Sequence, residues 1–130
     1  MRESANSSVN TLFAAECGIL LQRNNVGACQ DKTGRLIRYG LMNESAKQNE
    51  IIKSSDQIGI TPVLITQEMV GRVVGVYTAL EDKRSDWHLT PADTHGQAQA
   101  AYHRLVINYG GYAGFVTCKA DVLRITGLGR

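Results

Sequence analysis

The sequence predicts an α/β fold, a mixed central sheet flanked by helices, and three observations carry that expectation. Arg72 to Leu80 is rich in Val73, Val74, Val76, Tyr77 and Thr78, the β-branched and aromatic residues that fit a pleated surface. Downstream, Ala98, Ala101, Tyr102, Leu105, Val106 and Tyr109 recur at i, i+3, i+4, i+7, i+8 and i+11, an amphipathic helix that Gly110-Gly111 ends. Tyr112 to Thr117 then reads as another strand, so the helix crosses from one strand to a parallel neighbour.

The remaining elements follow in order. Residues 4 to 16 place Ala5, Val9, Leu12 and Phe13 at helical spacing, with Ser4 as N-cap and Gly18 as stop. Ile19-Leu20-Leu21 is a short buried strand, and Arg23 to Gly27 a turn. Asp31-Lys32-Thr33-Gly34 is a second turn, followed by a strand from Arg35 to Gly40. Met42 to Lys53 is polar, a loop or a short exposed helix. Ile58 to Thr66 is a strand interrupted by Pro62, Gln67 to Gly71 a tight connection or one helical turn, and the strand from Arg72 its central neighbour. Arg84 to Leu89 is a connector carrying the only tryptophan, Trp87. Thr90 caps the long helix, with Pro91 at its first position and Asp93 three residues after the cap. Ala120 to Ile125 forms a last short helix.

With 130 residues and 43% hydrophobic content, the chain reads as one compact domain, residues 1–130, with no internal repeat. A formal charge of +2 excludes a polybasic coat for nucleic acid, so any basic surface is local. Cys17, Cys29 and Cys118 are odd in number and lack C-x-x-C spacing, which suggests reduced thiols in a cytoplasmic protein. No apolar leader or membrane-length segment is present, so a soluble, unsecreted protein is expected.

The chemistry concentrates between Ser54 and Lys83. In Glu81-Asp82-Lys83 the period of two puts Glu81 and Lys83 on one face and Asp82 on the other. Alone, such a pair is usually a solvated face. If the strand of Asp56 pairs beside it, two carboxylates able to hold a hard divalent cation meet a lysine, the chemistry of metal-dependent phosphodiester hydrolysis. Arg23, Arg35, Arg38 and Lys53 are the candidates for positioning phosphate, a role that fixes register without reading sequence. His88, His95 and His103 share no short spacing with cysteine, which argues against a zinc enzyme. The lack of a glycine-rich phosphate loop after a strand argues against a nucleotide-binding enzyme. Trp87 either packs in the core, stacks on a nucleobase or anchors a dimer.

Arg23-Asn24-Asn25-x-Gly27, Thr33-Gly34-Arg35-Leu36-Ile37-Arg38-Tyr39-Gly40, Ser54-Ser55-Asp56-x-Ile58-Gly59, Glu81-x-Lys83, Gln99 and Gly110-Gly111 together resemble the VRR-NUC domain in its small stand-alone phage form. The likeness covers nearly the whole chain, with the motifs in the family's order. It implies a restriction-endonuclease-like, PD-(D/E)xK fold, a homodimer in a bacterial or phage-infected cytoplasm, and endonuclease activity on branched DNA such as four-way (Holliday) junctions. By the motif match, Asp56 and Glu81 would hold Mg²⁺ or Mn²⁺, with the carbonyl of Asp82 as a further ligand. Lys83 would orient the attacking water, Gln99 matches the family's glutamine near the site, and Glu3 rather than Glu16 matches its first-helix glutamate. One departure stands out: the residue between the acid and the lysine is usually apolar in that family, and here it is Asp82. A buried, unpaired aspartate costs about 2 to 7 kcal/mol or more, so Asp82 is expected near the strand end, paired with a base such as Arg84, or recruited to metal. The alternative reading is a DNA-junction-binding or structural module with a degenerate site.

Overall fold

A computed structural model describes residues 2–128 and shows a mixed α/β fold. The chain divides into two compact units, Met1–Gly59 and Ile60–Arg130. Among the described residues no helix is long and apolar enough to cross a membrane.

The first unit opens with α1 (Glu3–Glu16), followed by β1 (Leu20–Arg23), β2 (Gly27–Gln30), β3 (Leu36–Tyr39), α2 (Ala46–Ile51) and β4 (Gln57–Ile60). The first helix forms near where its spacing predicts, but it begins at Glu3 with Arg2 in the cap position, so Ser4 lies inside the helix and does not cap it. The face it buries is also different. Ala14 is buried and Thr11 half-buried, whereas Leu12 and Phe13 remain exposed. Gln57 Nε2 donates to Thr11 Oγ1, so polar residues of the helix make the inward contact.

β2 and β3 pair antiparallel, Gly27 opposite Tyr39 and Gln30 opposite Leu36. Their turn is organised by Asp31, whose Oδ1 accepts from the Thr33 N–H (2.8 Å), the Thr33 hydroxyl (2.6 Å) and the Arg35 N–H (2.9 Å). The Thr33 hydroxyl, foremost, and these amides hold the Asp31 carboxyl below its ordinary pKa. Ser45 caps α2 by accepting from the Gln48 N–H at 3.0 Å, and the helix buries no residue. β4 pairs with β1. Gly59 is required there, because a Cβ at this position would lie 1.7 Å from the Leu20 carbonyl oxygen.

The second unit is a β–α–β arrangement. β5 (Thr78–Asp82) runs into α3 (Thr94–Asn108), which returns to β6 (Tyr112–Val116), and α4 (Lys119–Thr126) follows. β5 and β6 are parallel, with Thr78 opposite Tyr112 and Glu81 opposite Phe115. The crossover expected from the helical stripe between two strands is therefore present. Val106 of α3 is fully buried, and Ala113 and Val116 of β6, the strand against which α3 packs, are buried too.

Three details differ from expectation. Asp93, not Thr90, caps α3, with Oδ1 accepting from the Gly96 N–H at 2.9 Å. Thr90 instead closes the preceding turn by accepting from the Asp93 N–H and from Gln97 Nε2. The buried face of α3 is Gly96, Ala100, His103 and Val106, rotated from the stripe that the apolar residues suggest. Finally, the strand-like residues 61–66 and 72–77 join no ladder, and a short 3-10 turn, Gln67–Met69, lies between them. Among the described residues the strands therefore form three two-stranded sheets, β1 with β4, β2 with β3 and β5 with β6, and not the single central sheet expected. Val73 is wholly exposed, and Leu64 84% exposed.

The C-terminus of α3 stops as predicted. Gly110 takes a φ of 90°, its N–H donates to the Ile107 carbonyl, and the Gly111 N–H reaches back to Val106. α4 is held at its start by Asp121, whose Oδ2 accepts from the Thr117 N–H and hydroxyl, both at 2.9 Å, while Arg124 donates to Oδ1 at 3.2 Å. These bonds, the Thr117 amide foremost, lower the Asp121 pKa from 3.8 to about 2. The folded state thus binds this proton less readily than the unfolded chain. The stabilisation is complete above pH 3.8 and is lost as pH falls toward about 2. Asp121→Asn should lower the unfolding free energy at neutral pH and flatten the acid limb over that window, as measured by urea unfolding at a series of pH values.

Candidate functional site

In the second unit the alternation of β5 sets the geometry. Ala79 and Glu81 are half-buried, while Thr78, Leu80 and Asp82 are exposed. Lys83 continues the pairing by donating its N–H to the Val116 carbonyl at 2.9 Å. Its side chain therefore turns to the face of Glu81, and Lys83 Nζ lies 3.8 Å from Glu81 Oε1. The ammonium donates to Gln99 Oε1 at 2.8 Å. It is only 15% exposed and lies 5.1 Å from the Trp87 ring centroid and 5.7 Å from that of Phe115.

One turn beyond Gln99 on α3, His103 is buried and meets Phe115 edge-on, with ring centroids 4.6 Å apart. Phe115 also packs against Trp87 at 4.5 Å. Burial lowers the His103 pKa below 6.5, the Glu81 carboxylate opposes that shift, and the Lys83 charge adds to it. Glu81, Lys83 and Gln99 are thus gathered in one place. Asp82 ends β5 with its side chain exposed, which meets the strand-end expectation and keeps its charge in water. Arg84 pairs with Asp86 (3.6 Å) instead.

In the first unit Asp56 immediately precedes β4 and is exposed. Its backbone is fixed by Asn24, the first asparagine of the predicted turn. The Asn24 N–H donates to the Asp56 carbonyl at 2.8 Å, and Asn24 Nδ2 donates to Ser54 Oγ and the Ser55 carbonyl, both at 2.8 Å. Ser54 Oγ donates to the Leu41 carbonyl (2.7 Å), and the Leu41 N–H donates to Asn24 Oδ1 (3.2 Å). Buried Asn43 ties β2 to β3 by donating to the Gly27 and Tyr39 carbonyls at 2.7 and 2.8 Å.

Asp56 lines two open clefts. One, of about 800 Å³, also holds Glu3 and Arg23; the other, of about 450 Å³, holds Arg38 and Lys53. Arg35 lines neither, and its guanidinium Nε is 3.5 Å from Asp31 at the exposed hairpin turn. Glu16, the other first-helix acid, is absent from both clefts.

The candidate ligands, Glu3 and Asp56 in the first unit and Glu81 and the Asp82 carbonyl in the second, are each oxygen donors, the class suited to a hard cation. Among the described residues no group of three or more His, Cys, Asp or Glu side chains gathers to hold an ion. Carboxylate and carbonyl oxygens are the donors that Mg²⁺ takes, one or two carboxylates together with several waters and substrate phosphate. The sequence reading did not single out Phe115, and it gave Trp87 and His103 no tie to Lys83. Only His103 had a local signal, standing four residues after Gln99 on one helix face.

No family model, curated protein or solved structure matches this chain.

The Asn24 network generates a direct expectation. Asn24→Ala removes the side-chain bonds to the Leu41 amide, the Ser54 hydroxyl and the Ser55 carbonyl, at a cost of about 0.5 to 1.5 kcal/mol for each bond that water does not replace. Urea unfolding should show that loss, and amide exchange at Leu41 should accelerate.

Proposed function

We propose that the chain is a metal-dependent, structure-specific DNA endonuclease of restriction-endonuclease-like, PD-(D/E)xK fold, a VRR-NUC-type homodimer acting on branched DNA such as four-way junctions. The observation that carries this reading is the grouping of Glu81, Lys83 and Gln99, with the ammonium bonded to the glutamine and beside the carboxylate. A lysine so placed, with a carboxylate on its own strand face, is equipped to steady a water and a phosphoryl oxygen together.

In this reading Asp56, Glu81 and the Asp82 carbonyl would be the ligands of Mg²⁺ or Mn²⁺, and Glu3, which lines a cleft with Asp56, would be a further carboxylate. When bound, such an ion would supply Lewis-acid polarisation of the scissile phosphate and a more acidic bound water. Lys83 orients the nucleophile and offsets charge on the phosphate, and Gln99 fixes the Lys83 amine. Arg23, Arg38 and Lys53 bind backbone phosphate along the Asp56 clefts, whereas Arg35 contributes from the hairpin turn outside them. The solvated position of Asp82 removes the cost that favoured a degenerate, non-catalytic module. The exposed Val63, Leu64, Ile65, Val70 and Val73 offer an apolar surface for a second copy to cover, which supports the homodimer.

The test is cleavage of a synthetic four-way junction with Mg²⁺ or Mn²⁺. Asp56→Ala and Lys83→Ala should each reduce cleavage at least about a hundredfold while junction binding by gel shift persists. Wild-type protein that binds junctions without cutting them would establish the non-catalytic module instead. In sedimentation, wild type should behave as a dimer and Val73→Lys should shift toward monomer.

A further inference from the structure

The surroundings of Lys83 contain more than the proposed chemistry uses. A lysine side chain is a flexible four-carbon stem, and fixing it costs rotamer entropy. The Gln99 bond alone fixes one of three N–H donors, and Glu81, at 3.8 Å, lies beyond hydrogen-bonding distance. Two aromatic faces remain. The turn in which the Trp87 N–H donates to the Arg84 carbonyl at 3.0 Å brings the indole back over the ammonium, 5.1 Å away. Phe115 stands opposite Glu81 in the β5–β6 register and presents its ring 5.7 Å from the same nitrogen. The Phe115 ring is in turn braced by Trp87 on one side and by the edge of His103 on another.

We propose that Trp87 and Phe115 form an aromatic cradle that positions the Lys83 ammonium, with His103 as the brace for Phe115. Ring quadrupoles attract a cation without consuming an N–H donor. The cradle therefore holds the amine in place and leaves the donors not given to Gln99 for water and phosphate. This assigns Trp87 a place beside the reactive amine, as a positioning residue rather than a nucleobase platform or a dimer anchor. The inference rests on the nuclease reading for its catalytic consequence, and on geometry alone for the cradle itself.

Full-length protein labelled with ¹³C at the lysine ε-carbons tests the two parts separately. Ring currents should place the Lys83 ε-methylene resonance upfield of those from Lys32, Lys47, Lys53 and Lys119. Trp87→Leu should return it toward them, and Trp87→Phe should keep part of the shift. On a four-way junction with Mg²⁺, Trp87→Leu should lower kcat by roughly three- to thirtyfold with KM unchanged, and Trp87→Phe should recover most of that loss. Phe115→Leu gives the same readouts if Trp87→Leu fails to fold by circular dichroism. A Lys83 resonance that is unshifted in wild type, or unmoved in folded Trp87→Leu and Phe115→Leu, overturns the cradle. A shifted resonance in protein that cuts no DNA upholds the cradle and overturns the nuclease reading. A normal kcat in Trp87→Leu, with the resonance moved, overturns the positioning role.

Discussion

The parallel pairing of β5 with β6 is the constraint on which the second unit depends. A parallel pair needs a long crossover, and α3 provides it. The register then has chemical consequences. It sets Glu81 against Phe115, and the extra bond from the Lys83 amide to Val116 extends the ladder just far enough to keep the lysine side chain on the Glu81 face. Without that last bond, Lys83 would belong to the connector, free to point elsewhere.

The first unit works by a different means. Its apolar burial is sparse, and its precision comes from amides: Asn24 and Asn43 each hold backbone from two separate segments. Among the described residues no buried side-chain nitrogen or oxygen lacks a partner, which is what such a polar scaffold requires. A satisfied network specifies one geometry, and here the geometry it specifies is the approach of the chain to Asp56.

Much of this was legible from local pattern. Alternation put Glu81 with Lys83 and turned Asp82 outward, the glycine pair located the end of α3, and the turn residues Asp31 to Gly34 marked the hairpin. Other features depended on partners distant in sequence. β2, Gly27-Ala28-Cys29-Gln30, has no β-branched residue and is a strand because β3 lies beside it. Thr90-Pro91 has the composition of a helix start, but the side chain of Asp93 reaches the Gly96 amide and takes that role. The valines after Arg72 have strand propensity without a ladder, so β5 begins only where Tyr112 supplies a neighbour for Thr78. Neither Trp87 nor Phe115 carries a local sign of its tie to Lys83, because that tie is made through space.

Those unladdered valines also bear on how the chain fares in crowded solution. From Val73 to Leu80 there is no charged residue, and its exposed, unladdered part, Val73 to Val76, is a template for intermolecular cross-β stacking. Pro62 ahead of Val63 and Arg72 ahead of Val73 sit where gatekeepers are needed, one denying an amide to an incoming strand and the other adding repulsion between identical copies. Replacing either would trade colloidal restraint for stickiness, without touching a single residue of the clefts or the lysine.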